Sequence, residues 1–438
     1  MRNILQHRGL RLIFAANVIS MIGSGMNSAA VTWYVLQKTH SEASLGMLLM
    51  LQTIPVLIML PFSGVFIDRQ DRRKLLMTLD AVRAVIIVVV AVLAYRGVAQ
   101  LWQVYLMSIM VAAGFWMFWP TITALIQELS PESKYTHANS FLIAGVQGGW
   151  LIAGSMVGFV YNSIGLAGVL FIDFASYLLS FTCYLLVRKG HHTVMVEPAE
   201  DAPQATVDRF FHELKEGISF IRVRPQLLLM GTCWALFIGA MLTQGVITAP
   251  FSDRILQAGA IGYGWLNGGW AIGAFMSAMY TPALIRGTGH RRAVGVAMTT
   301  LGCSLMLLPL VGAHVHGRIA LGSAAMSAGL LVSVMVYCAM GCGRALGGVA
   351  ITSTIMEMVP KHFMGRVQNT FYFAGTCLQL FLSLAVGAVS HHKSLALGFC
   401  MVGSLYLLAA VFGSWPVAST QHSAVSTQPL DHTESVVH

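Results

Sequence analysis

Residues 64 to 74 read GVFIDRQDRRK, four basic and two acidic side chains in eleven positions, set between two long apolar runs. The chain of 438 residues is 10% charged and 56% hydrophobic, with a mean hydropathy of +0.71. A soluble domain carries roughly a quarter charged residues. The composition is that of an integral membrane protein, and the charged stretch stands where a loop between two spans would meet water.

Outward from that stretch, a helix needs about 20 apolar residues to cross the hydrocarbon. The sequence offers about twelve such runs, at 11–36, 44–67, 75–95, 101–125, 138–161, 165–187, 226–250, 259–285, 292–313, 318–345, 364–389 and 395–415. They are continuous rather than alternating, which excludes a transmembrane β-barrel. The first run follows Arg2, Arg8 and Arg11 but is too long for a secretory signal, and it carries Asn17, Ser20, Ser24 and Asn27. It is expected to be a retained first span.

The net charge of +9 would raise nucleic acid as a partner for a soluble protein, but its distribution decides otherwise. With the N-terminus inside, nineteen Lys and Arg fall in inner segments, against Lys38, Arg96, Arg254, Arg318 and Lys393 outside. The positive-inside rule then places both termini in the cytoplasm, and the expected location is a bacterial inner membrane. The seven cysteines lie within the expected spans and form no CxxC pair, so they read as packing residues, with a metal or redox role the minor alternative. The doublets His191-His192 and His391-His392 lack acidic companions, and no metal site is expected.

Six spans precede the polar stretch 188–225 and six follow it. The expected organisation is a bundle over 1–187, a cytoplasmic linker over 188–225, a second bundle over 226–416 and a disordered tail over 417–438. Within the linker, TVDRFFHELKEGISFIRVRP reads as an amphipathic helix capped by Thr206, with Phe210, Leu214, Ile218 and Ile221 on one face and Pro225 at its end. It is expected along the inner membrane surface. The halves echo each other: Thr123, Glu128 and Pro131 align with Thr352, Glu357 and Pro360 at one offset of 229 positions. Internal repeats with one site between them are the plan of secondary transporters.

Gly64-Val-Phe-Ile-Asp68-Arg69-Gln-Asp71-Arg72-Arg73 resembles the signature loop between helices 2 and 3 of the major facilitator superfamily, G-x-x-x-D-R-x-G-R-R, with Asp71 in place of the usual glycine. Thr32-Trp33, Pro55, Pro61, Asp80-Ala-Val-Arg83 and Gly365-Arg366-Val-Gln-Asn369 look like the drug and proton antiporter branch, which includes macrolide, tetracycline and siderophore exporters. The resemblance implies an all-α membrane protein with twelve transmembrane helices in two six-helix bundles. It further implies a latch at the cytoplasmic face. There Gly64 allows close helix approach, Asp68 meets the start of helix 11 near Gly365 and Arg366, and Arg72 holds Glu128. Glu357 would cap the repeat-related position, while Arg69, Arg73 and Lys74 serve either the latch or the topology. The glycines of helix 5 (Gly145, Gly148, Gly149, Gly154, Gly158) are similar to the family's antiporter motif, but Gly154-Ser155 stands where a Gly-Pro pair belongs.

Charges at membrane depth cost on the order of 3 kcal/mol each by insertion scales and call for a reason. Asp80 and Arg83, three apart, are expected to pair, with proton carriage the alternative. Asp173 has no charged neighbour in sequence and is open to either a packing or a proton-coupling role. Arg344 could meet an anionic or carbonyl-rich substrate, or bridge to Glu357 or Glu128. Candidates for the cavity wall are Asn27, Trp116, Trp119, Gln147, Trp234, Gln244, Trp265, Asn267, Trp270, Arg344, Tyr372 and Gln379, aromatics and amides suited to a bulky amphipathic ligand.

The sequence has no GxxxxGK[ST] loop, HExxH or nucleophile elbow, so neither ATP-driven transport nor catalysis is expected. The expected function is proton-coupled export of an amphipathic small molecule, a drug or a secreted metabolite such as a siderophore. The expected partners are that substrate, protons and membrane lipids, acting on a monomer without cofactor. A lysophospholipid mover and a non-transporting membrane sensor are the alternatives.

Overall fold

The computed structural model describes residues 8–68, 70–129, 135–187, 203–315, 317–321, 324–360 and 364–415. Lipid offers no partner to a bare amide, so each span closes its own backbone bonds as a helix. The chain runs α1 (Arg8–Thr39), α2 (Glu42–Asp68), α3 (Arg72–Tyr95), α4 (Leu101–Leu129), α5 (Tyr135–Leu186), α6 (Pro203–Arg222), α7 (Pro225–Thr243) and α8 (Gly245–Pro250). It continues through α9 (Gly259–Thr288), α10 (His290–His314), α11 (Ala328–Met358), α12 (Met364–His392) and α13 (Leu395–Ser414). Among the described residues, ten helical segments are long and apolar enough to cross a membrane.

The long α5 is two spans. At Gly165, φ is 65° and ψ is −169°, a conformation that side-chain-bearing residues avoid. Residues on both sides of this break lie beside the same part of α1: a Cβ at Gly25 would meet Ala153, and one at Gly23 would meet Ser176. The chain therefore doubles back at Gly165, as the two expected runs 138–161 and 165–187 require. The seventh span is continued by α8 and a π-helical turn, Phe251–Ile255, where Leu256 N–H reaches Phe251 O at 3.0 Å. Pro250, which has no N–H to donate, stands at that change of pattern.

Three expectations need correction. The tenth span does not begin at 318: Arg318–Leu321 and Ala324–Ser327 pair antiparallel, and α11 starts only at Ala328, with the Ser327 hydroxyl accepting from Leu330 N–H. This short hairpin is an exception to an all-helical chain. Thr206 is not the cap of the linker helix, because α6 starts at Pro203, where proline's missing N–H costs nothing at a helix start. Pro225 opens α7 rather than closing α6, which ends at Arg222. The tail 417–438 and residues 188–202 of the linker lie outside the described residues.

On α3, Val82, Val85, Val89 and Val92 are exposed while Asp80, Arg83, Ala84, Ile87, Val90 and Ala91 are buried. One face thus meets lipid and the other carries the charge into the bundle. Helices α1 to α5 pack on one another, α7 to α13 do the same, and the two groups meet mainly through α2 on α12 and α5 on α9. Small residues make those meetings close. A Cβ at Gly46 would fall 2.2 Å from Ser383 O, and one at Gly158 would fall 2.3 Å from Ala260 O.

Candidate functional site

The opening stretch resolves into two parts. Asp71 caps α3, its carboxylate accepting from Lys74 N–H at 3.1 Å, which is work the family's usual glycine has no side chain to do. Arg73 donates to Tyr184 O at 2.7 Å and to Leu185 O at 2.6 Å, so it closes the C-terminal end of α5 within the first half. Arg73 accordingly does not reach across to the second half in the way a latch would. Arg72 is half-buried. The surroundings of Gly64, Asp68, Arg69, Glu128, Gln147 and Gly365 lie outside the described residues. Arg366 pairs with Glu216 of α6 at 2.7 Å, tying the linker helix to α12. Glu357 is 64% exposed and faces His290 at 3.6 Å, inside the second half rather than across the gap.

Between the halves lies a cavity of about 310 Å³. Its floor comes from α1 and α2: Ser24, Asn27, Ser28 and Val31 on one, Leu49, Gln52, Thr53 and Val56 on the other. Phe115, Trp116, Trp150 and Tyr177 supply aromatic walls, and Leu242, Thr376 and Gln379 come from the second half. Thr53 donates to Gln379 Oε1 across the two halves at 2.9 Å. No charged side chain lines the cavity among the described residues, so its chemistry is apolar and aromatic with a few hydroxyls and amides.

The charges stand one layer behind. Asn27 Nδ2 donates to Asp173 Oδ2 at 2.7 Å, and Ser176 donates to the other carboxylate oxygen at 3.2 Å. Asp173 is fully buried. Asp80 and Arg83 meet at 2.5 Å, also buried, and the Arg83 guanidinium lies 4.4 Å from the Tyr177 ring centroid and 4.9 Å from that of Phe118. Tyr177 O–H and the Ser24 hydroxyl are 2.8 Å apart. Three cavity-lining residues, Asn27, Ser24 and Tyr177, therefore touch the buried network.

Of the cavity candidates, Asn27, Trp116 and Gln379 line the space. Tyr372 lies one turn toward the chain-end face, its ring centroid 5.4 Å from that of Trp116 on the other half. The other described candidates are elsewhere. Trp119 packs in the core of the first half, and Trp234 stacks near Phe237. Gln244 is buried where α7 passes into α8, and Asn267 donates to Tyr263 O at 2.8 Å where α9 meets Gly154 of α5. Arg344 contacts the Trp270 ring at 4.7 Å and the Met241 sulfur at 3.1 Å, not Glu357. Trp265 lies against Phe159, with centroids 5.9 Å apart. Missed residues include Ser24, Ser28, Gln52, Thr53 and Thr376. The signal was present, because 24, 27, 28 and 31, like 49, 52, 53 and 56, repeat the i, i+3, i+4, i+7 spacing of one helix face.

On the face opposite the chain ends the halves are closed. Trp33 stacks on Tyr263 with centroids 5.9 Å apart, and the glycine contacts of α2 with α12 and α5 with α9 lie on the same side.

The sequence profile of the Major Facilitator Superfamily matches residues 13–378. The multidrug efflux pump Tap of Mycolicibacterium fortuitum is 24% identical over 419 residues, covering 92% of this chain and 95% of that protein. Macrolide efflux protein A of Streptococcus pyogenes is 21% identical over 385 residues, covering 85% and 86%. Among solved structures, a bacterial homologue of the iron transporter ferroportin in its inward-facing state superposes with a TM-score of 0.71 at 16% identity, covering 93% of this chain and 98% of that one. That likeness is one of fold.

Proposed function

The chain belongs to the Major Facilitator Superfamily, and from that membership we propose that it is a proton-coupled exporter of an amphipathic small molecule, a drug or a secreted metabolite. Two halves rock about the central cavity, exposing it to one side of the membrane at a time. Efflux relatives along most of the chain support the direction of transport. The uncharged, aromatic cavity wall suits a bulky ligand with a few polar groups.

The observation that carries the coupling is the contact of Asn27 with Asp173. A buried carboxylate inside a membrane is a functional group by default. When Asp173 is ionised, its oxygen holds the Asn27 amide against the back wall. When it takes a proton from the outward-open state, that acceptor weakens and the amide is free to turn toward the cavity. Turned inward, the amide takes up space and hydrogen-bonding partners on the wall that a substrate would use, so substrate and proton compete without touching each other. At the cytoplasmic face, the Asp68, Arg72 and Arg366 region serves as the inner latch, with Arg366 anchored to α6.

The test is transport of a radiolabelled macrolide by the purified protein in liposomes with an imposed pH gradient. Gradient-dependent movement is expected, stopped by a proton ionophore. Equal rates with the gradient collapsed would refute proton coupling, and lysophospholipid movement that survives the ionophore would point to a lipid mover instead.

A further inference from the structure

The charged cluster on the face opposite the chain ends plays no part in the cavity or in the buried network behind it. Glu42 opens α2, and its side chain is 0% exposed. One carboxylate oxygen accepts from Arg254 Nη1 at 2.6 Å, and the other faces His391 Nδ1 at 3.3 Å. Arg254 also donates to His40 O. Glu42 and His40 belong to the first half, whereas Arg254, in the π-helical turn, and His391, in the last turn of α12, belong to the second.

We infer that Glu42 is the outer latch of the transport cycle: a carboxylate of one half clasped by two side chains of the other, whose release is required for the outward-open state. Three observations support a latch rather than incidental pairing. Both oxygens of Glu42 are engaged by the opposite half, so no separation of the halves at this end leaves the cluster intact. The cluster stands beside a close backbone approach of α2 to α12, where a Cβ at Gly387 would fall 2.7 Å from Glu42 O. His40, which presents its carbonyl to Arg254, has φ of 46° where the chain leaves α1, its N–H closing the helix on Leu36 O, so the end of α1 is itself shaped to offer Arg254 a second acceptor from the first half. The inference rests on two halves that must part, not on the substrate or on the proton.

The buried carboxylate also explains why the latch is switch-like. Held by Arg254 and His391, Glu42 needs no water. Once the halves part, all the groups must be hydrated together, so intermediate openings are disfavoured.

Hydrogen–deuterium exchange of the full-length protein in nanodiscs tests this through the segments 42–50 and 379–392. Glu42→Gln and Arg254→Gln are each expected to speed exchange there about tenfold, with the segments at the chain-end face not following. The double variant should be no faster than either single one, because both remove the same interaction. His391→Gln, which removes one partner and leaves the ion pair, should give a smaller acceleration in the same segments and serves where a charge-deleting variant folds poorly. Wild-type exchange in every variant overturns the inference, and so does a double variant near a hundredfold, the product of two independent effects.

Discussion

Asn27 and Asp173 are 146 positions apart, yet the amide nitrogen of one lies 2.7 Å from a carboxylate oxygen of the other, the first on the wall of the cavity and the second sealed behind it. This contact links the space where a ligand would sit to the acid proposed to carry the proton, and the first prediction concerns it.

Asp173→Asn keeps the size of the side chain and removes the ionisable group. Substrate binding, followed by quenching of tryptophan fluorescence, should lose its dependence on pH, because no proton is left to compete for the Asn27 wall. Gradient-driven transport in liposomes should fall at least about tenfold. Unchanged gradient-driven transport would remove Asp173 from the coupling mechanism.

Asp80 and Arg83 form a buried pair at 2.5 Å. Removing one partner from such a pair typically costs about 3 to 5 kcal/mol, because the other charge is left buried alone. Asp80→Asn should therefore lower the thermal unfolding midpoint clearly in detergent. The double variant Asp80→Asn with Arg83→Gln should recover part of that loss. Melting no lower than wild type for the single variant would show that the pair contributes little.

Trp116 and Tyr372 meet across the halves with centroids 5.4 Å apart, on the chain-end side of the cavity. An aromatic pair contributes about 1 kcal/mol beyond the area it buries, close to a fivefold effect. Trp116→Ala should weaken binding of a bulky ligand by about five to tenfold, since it also removes a wall of the cavity. Equilibrium binding in detergent checks this, and a smaller effect for Trp234→Ala is expected because that ring stacks near Phe237 away from the cavity.

Gly46 approaches α12 so closely that a Cβ there would fall 2.2 Å from Ser383 O, a backbone atom that cannot swing aside. Gly46→Ala should fold normally, because Ala favours a helix, but it should hold the outer end of α2 away from α12. Transport is expected to drop at least about tenfold with little change in melting. Wild-type transport would mean that this approach is not part of the cycle.

Much of the architecture follows from local sequence. Spans are legible because the bilayer imposes one length and one polarity on every helix, and α13 at Leu395–Ser414 lies within a residue of its apolar run. The Asp80 and Arg83 pair is legible too, because three residues apart on a helix is one face. The stripe Ser24, Asn27, Ser28 is local in the same sense. What the stripe faces is not, and that is why Trp119, Trp234 and Asn267 could be grouped with Trp116 as cavity residues from sequence, although the fold places them elsewhere.

The chain's order of apolar runs and loop charges thus determined on its own that this protein lives in a membrane as a bundle of helices. Only the tertiary structure decided which polar groups meet: Asn27 with Asp173, and Glu42 with Arg254 across 212 positions. The reason is physical. Hydropathy and helical periodicity act over one or two turns, whereas a contact between halves depends on the rotation and depth of two helices at once, which small residues such as Gly46 and Gly158 set by where they let backbones touch.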